Sequence, residues 1–405
     1  MDQQPASDPT RKAHAAEVFG AFLKLGLTSF GGPIAHLGYF RTEFVARRGW
    51  LSDADYADLV ALCQFLPGPA SSQVGFALGL MRGGWRGGLA AFLAFTLPSA
   101  LILIAFALAL PMLTGPIALG VVQGLKIVAV SIVAQAVWGM AQSLCPDRTR
   151  AAIAVGSVAW LAFVPGVWGM LGAIGLGAAA GAVLLRPMAG TATGSAPNMP
   201  VTHRQARVAL MAFGALLLAL PVLAHLAPMV AMIDAFFRAG ALVFGGGHVV
   251  LPLLEAETVA RGWVTPDAFL AGYGAAQAVP GPLFTFAAYL GAVQTPTPHG
   301  VLGAGVALLA VFAPGFLILI AVLPHWHRLR ALPAAQAVMR GANAAVVGVL
   351  GAALYAPVFS GAITDLRALA LALACLVALM LWKTPPWVVV VIAGLAGAGL
   401  ALIAR

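Results

Sequence analysis

The sequence predicts an all-α polytopic membrane protein made of two inverted-topology repeats, with broken or re-entrant helices around FGG and PGP motifs. The chain of 405 residues is 61% hydrophobic and only 9% charged, whereas about one-quarter of a soluble domain is charged. Its apolar residues form blocks long enough to cross a bilayer as helices, as at 87–113, 208–233 and 368–382. The same motifs also occur in both halves, in the same order.

The two halves align over two long motifs. AFLKLGLTSFGG (21–32) matches AFFRAGALVFGG (235–246), and QFLPGP (64–69) matches QAVPGP (277–282). Self-similarity of this length indicates an internal repeat. Proline and glycine both destabilise helix interiors, so two copies of one costly hexapeptide indicate a function that requires a pair of broken helices.

The alignment continues downstream and sets the domain organisation. TLPSALILI (96–104) resembles FAPGFLILI (312–320), and QGLKIVAV (123–130) resembles RGANAAVV (340–347). The predicted organisation is a cytoplasmic tail at 1–14, a first repeat at 15–186, a polar linker with one unpaired transmembrane helix at 187–230, and a second repeat at 231–405.

The unpaired helix predicts that the second repeat is upside down. If each repeat crosses the membrane an even number of times, one extra crossing inverts the second repeat, as in many secondary transporters. Re-entrant FGG and PGP segments also satisfy the positive-inside rule. They leave Arg261 and Arg367 outside and place the other loop cations in the cytoplasm. The cytoplasmic set is Arg11, Lys12, Arg41, Arg47, Arg48, Arg82, Arg86, Arg148, Arg150, Arg186, Arg204, Arg207 and the HWHRLR cluster at 325–330.

The broken helices are the first candidate site. Irregular backbone at membrane depth is tolerated where it lines a cavity, and a helix that restarts there aims N–H groups at an anion. We therefore expect a midplane site for a small anion, in which PGP N–H groups take part. The alternative is that these residues only kink helices for packing. The candidates are Phe30, Gly31, Gly32, Gln64, Pro67, Gly68, Pro69, Gly245, Gly246, Gln277, Pro280, Gly281 and Pro282.

Four cations inside apolar segments are the second set of candidates. Lys24 and Arg238 occupy the same repeat position, while Lys126 and Arg340 lie in a later pair of matched helices. Intramembrane cations are costly and usually face an internal cavity. An inverted pair of repeats would bring them to one central cavity. Snorkelling of the long side chains towards the headgroups is the alternative.

Four further residues could carry protons or bind an anion. Glu43 and Glu257 match across the repeats and are proton-coupling candidates, although each precedes a Val-Ala-Arg sequence and could simply pair with that arginine. His36 and His248 follow the glycine breaks two positions out of register. Each could bind an oxyanion or carry a proton, or form a hydrogen bond between helices.

Several other classes of function are disfavoured. Cys63, Cys145 and Cys375 are too far apart for a zinc or disulfide motif, and no nucleotide-binding or hydrolase signature is present. The net charge of +9 is explained by membrane topology rather than by nucleic acid binding, because stacking aromatics are not interleaved with the cations. We expect no cofactor, no enzyme activity and no cleaved signal peptide.

The motifs together resemble the chromate ion transporter family in its long, two-domain form. The resemblance rests on FGGPIAHLGYFR (30–41), LCQFLPGP (62–69), FGGGHVVLP (244–252) and AAQAVPGP (275–282). It implies export of chromate across the bacterial cytoplasmic membrane and chromate resistance. The second half departs from the first, with Gly247 in place of Pro33 and Val250 in place of His36, so a role for that pair need not be duplicated.

Chromate suits the residues of the repeats. It is a tetrahedral dianion whose oxygens only accept hydrogen bonds, so amides, hydroxyls and cations are suitable ligands. Its export from an inside-negative cell releases about 4.6 kcal/mol at 100 mV, so a proton gradient could contribute but is not required.

Other functions and assemblies stay open at this stage. The alternatives are transport of sulfate or another oxyanion, an anion channel, and a non-transporting membrane scaffold. Lys24, Arg238, Lys126 and Arg340 lie inside predicted membrane segments and argue against a scaffold, which has no reason to place cations there. The expected partners are the lipid bilayer and a small oxyanion, and a homodimer is compatible with the sequence.

Overall fold

The chain is described by a computed structural model that covers residues 15–185, 200–326 and 332–403. This part of the chain consists of helices with no β-strand, which confirms the predicted all-α polytopic class with broken helices around the FGG and PGP motifs. Three predicted topology residues, Arg11, Lys12 and Arg186, lie outside the described residues, as does most of the 325–330 cluster.

The first repeat contains seven helices, and an eighth follows it. They are α1 (Ala15–Thr28), α2 (Gly32–Phe40), α3 (Asp53–Phe65), α4 (Ala70–Ala109), α5 (Pro116–Leu144), α6 (Arg148–Phe163), α7 (Gly166–Leu184) and then α8 (His203–Leu223). Helix α2 continues as a π-helical turn, Arg41–Arg47. Helix α8 has no counterpart in either repeat.

The second repeat follows the same order. Its helices are α9 (Pro228–Ala241), α10 (Val250–Thr258), α11 (Pro266–Ala276), α12 (Phe286–Val293), α13 (Gly300–Val322), α14 (Pro333–Ala353), α15 (Leu366–Met380) and α16 (Pro386–Ile403). Helix α14 continues as a π-helical segment, Leu354–Phe359. Helices α12 and α13 together correspond to α4.

Six segments of the described chain are long and apolar enough to cross a membrane, which supports a multi-pass membrane protein. They are Ala70–Met112, Pro116–Leu144, Gly166–Leu184, His203–Leu223, Gly300–His325 and Pro333–Ala362. Helices α15 and α16 are shorter but equally apolar.

Helix α4 is folded back on itself at Gly83 and Gly84, which have non-helical backbone angles. A Cβ atom built on Gly79 would lie 2.4 Å from the carbonyl oxygen of Gly87, so the arms 70–82 and 85–109 run side by side. In the second repeat, Gly291 of α12 packs in the same way on Gly303 of α13. A Cβ atom built on Gly291 would lie 2.3 Å from the carbonyl oxygen of Gly303. Glycine permits this close approach because it has no side chain.

Each repeat contains two re-entrant hairpins, one around its FGG motif and one around its PGP motif. The first FGG hairpin (15–47) brings Glu17 at its start within 3.9 Å of Arg48 just after its end. The first PGP hairpin (53–82) is closed by Arg82, whose guanidinium lies 5.6 Å from the ring of Trp50. Each hairpin therefore returns to the side on which it began, as the charge distribution predicts.

The second repeat has the corresponding FGG hairpin (228–258) and PGP hairpin (266–293). At the open end of the second PGP hairpin, the amide of Thr295 donates to the carbonyl of Trp263 at 2.9 Å. Phe106, at the far end of α4, packs on Tyr289 of this hairpin with ring centroids 5.7 Å apart. Phe316 on α13 packs likewise on Phe76 of the first PGP hairpin, at 4.8 Å. The hairpins of the two repeats therefore open at opposite ends of the long helices, which is the inverted arrangement.

The remaining helices bind the repeats together through small residues. Helix α7 packs on α14, where a Cβ on Gly181 would lie 2.4 Å from the carbonyl oxygen of Ala337. Helix α16 packs on α5, where a Cβ on Gly124 would lie 2.1 Å from the carbonyl oxygen of Ala393. Small residues at such crossings let backbones approach closely in membranes. Helix α5 of the first repeat therefore packs on the last helix of the second repeat, and α14 of the second repeat packs on the last helix of the first.

Candidate anion site

The FGG and PGP breaks of the two repeats meet through a reciprocal pair of hydrogen bonds. The amide of Gly68 donates to the carbonyl of Val243 at 2.7 Å, and the amide of Gly281 donates to the carbonyl of Ser29 at 2.9 Å. Ser29 and Val243 are matched positions, each directly before an FGG motif. Contacts of the form i to j and j to i are the mark of a two-fold relation. All four breaks therefore lie together on the axis that relates the repeats.

This meeting point is near mid-depth of the long helices. A Cβ on Gly281 would lie 2.9 Å from the side-chain oxygen of Ser99, in the middle of the second arm of α4. A Cβ on Gly68 would lie 2.9 Å from the Cα of Gly315, at the matched position of α13. The breaks therefore meet partway along the long helices rather than at their ends.

The PGP amides are not free to bind an anion, contrary to our expectation. The N–H groups of Gly68 and Gly281 are used in the bonds to the opposite repeat, and Pro67, Pro69, Pro280 and Pro282 have no N–H. The φ angles of Gly68 and Gly281 are +117° and +99°, in the region that favours glycine. The PGP loops therefore hold the two repeats together, and their main-chain N–H groups are not available as ligands.

The FGG loops keep their main-chain donors. The N–H groups of Gly31, Gly32, Gly245 and Gly246 make no main-chain hydrogen bond within the described residues. Gly31 and Gly32 open α2, and Gly245 and Gly246 precede a short helical turn, Gly247–Val249, that leads into α10. Free N–H groups at a helix start attract anions.

The two FGG loops also face each other. A Cβ on Gly32 would lie 3.7 Å from Nε2 of His248, and a Cβ on Gly247 would lie 2.8 Å from the ring of Pro33. His248 is oriented by Tyr273, whose hydroxyl lies 3.0 Å from its Nδ1. The structure thus brings His248 and the first FGG motif together, although the two histidines are out of register in the sequence.

A group of polar side chains in the first repeat lies beside these loops. Nδ1 of His36 is 3.5 Å from the hydroxyl of Ser71, its ring lies against the Ser29 backbone, and its edge packs on Phe95 at 5.3 Å. The Nε2 atom of His36 and the hydroxyls of Ser29, Ser72 and Thr96 are buried without a hydrogen-bond partner in the described chain. Buried polar groups are normally paired, so these four unpaired groups make this region the candidate anion site.

The matched group in the second repeat is largely apolar. Val243, Val250, Phe284 and Phe312 stand where the first repeat has Ser29, His36, Ser71 and Thr96, and Thr285 stands at the position of Ser72. The rings of Phe284 and Phe312 pack on each other at 5.6 Å, and the hydroxyl of Thr285 donates to the Pro282 carbonyl at 2.7 Å. The side-chain donors of the site therefore come mainly from the first repeat.

Gln64, Gln277 and Phe30 occupy different environments from one another. Gln64 is exposed, whereas Nε2 of Gln277 is buried and has no hydrogen-bond partner among the described residues. Phe30 turns outwards onto Trp387 of α16, with ring centroids 5.8 Å apart. The two glutamines are therefore not equivalent, although they match in sequence.

Lys24 and Glu43 belong to an ion cluster at the open end of the first hairpins. Glu43 is buried and contacts Lys24 at 3.6 Å, Arg47 at 3.0 Å and Arg48 at 2.7 Å. The Lys24 side chain is 53% exposed. Nearby, Arg41 donates two hydrogen bonds of 2.7 Å to Asp53, which lowers the pKa of that carboxyl group.

The matched cluster of the second repeat is more buried. Arg238 contacts Glu257 at 2.9 Å and also pairs with Asp234, while Arg261 contacts Glu257 at 2.6 Å. Asp234 has glycine, Gly20, at its matched position in the first repeat. Each cation therefore pairs with acids of its own repeat, rather than joining its counterpart in one central cavity.

Lys126 and Arg340 also take separate partners. Lys126 makes a 2.6 Å ion pair with Asp267 at the start of α11, and so links the first repeat to the second PGP hairpin. Nε of Arg340 lies 3.4 Å from the carbonyl of Gln336 on its own helix. The residue matched to Lys126 is Asn343, which lies close to Gly245. A Cβ atom built on Gly245 would lie 3.4 Å from Oδ1 of Asn343.

Sequence reasoning missed Thr96 and Asn343. Both lie in the later, loosely aligned part of the repeat, and a single threonine or asparagine in a long apolar helix carries little signal. Only the folding of α4 and α14 against the loops brings them close. Such residues can be found by comparing the repeats. The useful signal is a polar residue in an apolar helix at a position where the other repeat has a different residue.

Comparison with known proteins agrees with this architecture. The sequence model of the chromate transporter family matches residues 16–183 and again 230–398. The chain is 31% identical to the chromate transport protein of Pseudomonas aeruginosa, over 94% of this chain and 91% of that protein. It is 28% identical to the chromate transport protein of Cupriavidus metallidurans, over 82% and 80% of the two chains.

Similarity extends to a cyanobacterial relative. The probable chromate transport protein of Synechococcus elongatus is 28% identical over 82% of each chain. No solved structure matches the chain. These relatives are named as transport proteins, which are not enzymes. The two family matches cover both repeats and most of the sequence, and the chain belongs to the chromate transporter family.

Proposed function

We propose that this protein is a secondary transporter that exports chromate, or a similar tetrahedral oxyanion, from the cytoplasm across the bacterial cytoplasmic membrane. The observation that carries the proposal is the meeting of the two FGG loops at mid-depth, with free N–H groups beside four buried, unpaired side-chain donors. A tetrahedral dianion offers several acceptor oxygens to such donors.

The proposed binding site has two parts. The N–H groups of Gly31, Gly32, Gly245 and Gly246 supply main-chain donors from both repeats. Ser29, Ser72, Thr96 and His36 supply side-chain donors from the first repeat, and Gln277 adds an amide from the second. Neutral donors of this kind bind a dianion while leaving the pathway without a fixed cation that would hold it too tightly.

The charged clusters act at the mouths of the pathway in this proposal. Lys24 and Arg238 attract or release the anion at opposite ends of the molecule, since the two sets of hairpins open in opposite directions. The membrane potential drives a dianion outwards with about 4.6 kcal/mol at 100 mV. Chromate resistance would follow from this export.

Direct flux measurement tests the proposal. Purified protein in proteoliposomes should carry radiolabelled chromate in response to an imposed membrane potential, and protein-free liposomes should not. Sulfate has the charge and shape of chromate and is the second candidate substrate. Competition by unlabelled sulfate would identify it as a shared substrate, and absence of chromate flux from folded protein would refute the proposal.

A further inference from the structure

Glu255 is a carboxylate without a counter-ion inside the second FGG hairpin. It lies on α10, half-buried, and makes no ion pair or side-chain hydrogen bond within the described residues. Glu257, two residues later, is instead held by Arg238 and Arg261. The two acids of α10 therefore differ in kind: Glu257 is fixed by cations, while Glu255 has none.

Glu255 faces a largely apolar cavity of about 490 Å³. Helices α6 and α7, the rest of α10 and the end of α14 line it, through residues that include Leu161, Pro165, Met170, Pro252 and Val349. The only other titratable group in the lining is Tyr355, on the π-helical continuation of α14, and its side chain is mostly exposed. No described cation lines this cavity.

The charged form of an unpaired carboxylate is disfavoured in such a place. Moving a charge away from water without a partner is costly, and the group takes up a proton instead. Intramembrane carboxylates of this kind commonly serve proton relays in transporters. Glu43 and Glu257 are less suited, because each already makes ion pairs with two or more cations.

We propose that Glu255 is the proton-binding residue that couples oxyanion export to proton entry, an inference that rests on the proposed function. Glu255 lies five residues after Val250, so it is about 8 Å along the same helix from the FGG loop. The helix that begins at the anion site therefore also carries the proton site. Proton uptake at Glu255 from the face on which the second hairpins open, and its release at the opposite face, would accompany movement of this hairpin.

The coupling follows from linkage. If the hairpin conformation that releases the anion outwards also exposes Glu255 to external water, each ligand biases the same conformational equilibrium. A proton entering with each cycle adds to the driving force on a departing dianion. Replacing Glu255 by glutamine fixes the neutral state, so the cycle continues without a transported proton.

The test uses full-length protein in proteoliposomes, with the membrane potential clamped at zero by potassium and valinomycin. Both pH values are kept alkaline enough for chromate to stay dianionic. With the internal pH set below the external pH, the wild-type protein should accumulate chromate inside against its gradient. Glu255→Gln should carry chromate down its gradient, with at least a tenfold loss of accumulation driven by the pH gradient.

Two further variants sharpen the result. Glu255→Asp should restore accumulation, and Glu17→Gln, at an exposed carboxylate of the first hairpin, should behave as wild type. Undiminished accumulation by a folded Glu255→Gln protein would overturn the inference. So would wild-type chromate flux that a pH gradient never drives uphill, although the proposed function would then stand. Absence of any wild-type flux under a membrane potential would instead refute the proposed function.

Discussion

The amide of Gly281 donates to the carbonyl of Ser29 at 2.9 Å and thereby joins the PGP loop of the second repeat to the FGG loop of the first. The matched bond from Gly68 to Val243 does the same in reverse. Main-chain groups at mid-membrane must find partners, because water is not available there to bind them. The two repeats therefore satisfy each other's broken backbone.

Substitution of either PGP glycine should abolish transport. In Gly68→Val and Gly281→Val, the new side chain meets Gly315 or Ser99 at under 3 Å, at a φ angle that valine strongly disfavours. We expect loss of chromate flux together with a lower melting temperature in detergent. Gly20→Ala is the matched control, since its Cβ meets no atom within 4 Å. Normal flux in either valine variant would show that transport does not require the contact between its PGP loop and the opposite repeat.

Removal of a side-chain donor from the first repeat should weaken binding of chromate. A hydrogen bond to a charged group contributes about 1.5–3 kcal/mol, so Ser29→Ala, Thr96→Val and His36→Gln should each raise Kd roughly 10- to 100-fold. The measurement is equilibrium binding of chromate to purified protein. Ser143→Ala is the control, because that hydroxyl only contacts carbonyls of its own helix. Unchanged Kd in all three variants would rule out this binding site.

The two matched cations should respond differently to truncation. Arg238→Ala leaves Asp234 and Glu257 buried with one fewer cation, and breaking a buried pair costs about 3–5 kcal/mol. Lys24→Ala leaves Glu43 with Arg47 and Arg48, so the fold should be retained with reduced flux. Thermal melting of both variants separates these effects.

A double variant gives the control for this comparison. Arg238→Ala with Asp234→Asn removes one buried charge and should recover part of the lost stability. If Arg238→Ala melts like the wild type, the cluster contributes little to folding. If Lys24→Ala transports at the wild-type rate, Lys24 has no role at the mouth of the pathway.

Single-cysteine labelling should establish the orientation of the hairpins. In a background without Cys63, Cys145 and Cys375, we expect cysteines placed at 41–53 and 82–86 to react from the cytoplasmic side. Cysteines at 261–266 should react only from outside, because the second hairpins open at the other end. Labelling of 41–53 by an impermeant reagent added to intact cells would reverse the proposed orientation.

The sequence predicted the repeats, the hairpins and the meeting of the breaks, because repeated motifs and the sign of loop charges survive without a structure. The partners of polar groups could not be predicted in the same way. Gly68 and Gly281 were expected to expose their amides, yet each amide is used by the opposite repeat. Lys126 was expected in a central cavity but pairs with Asp267, 141 residues away. Long-range pairing depends on how helices pack, which local sequence does not encode.

The reciprocal bonds at the repeat axis also bear on how such a chain could have arisen. A polypeptide with only one repeat would carry one unmatched amide in its PGP loop and one unmatched carbonyl before its FGG loop. A second copy in the opposite membrane orientation would satisfy both at once. An ancestor with a single repeat would therefore have needed dual insertion into the membrane. Fusion through an extra helix such as α8 would then have fixed the opposed orientations permanently and freed each half to change on its own, and the two halves carry different side chains at matched positions such as His36 and Val250.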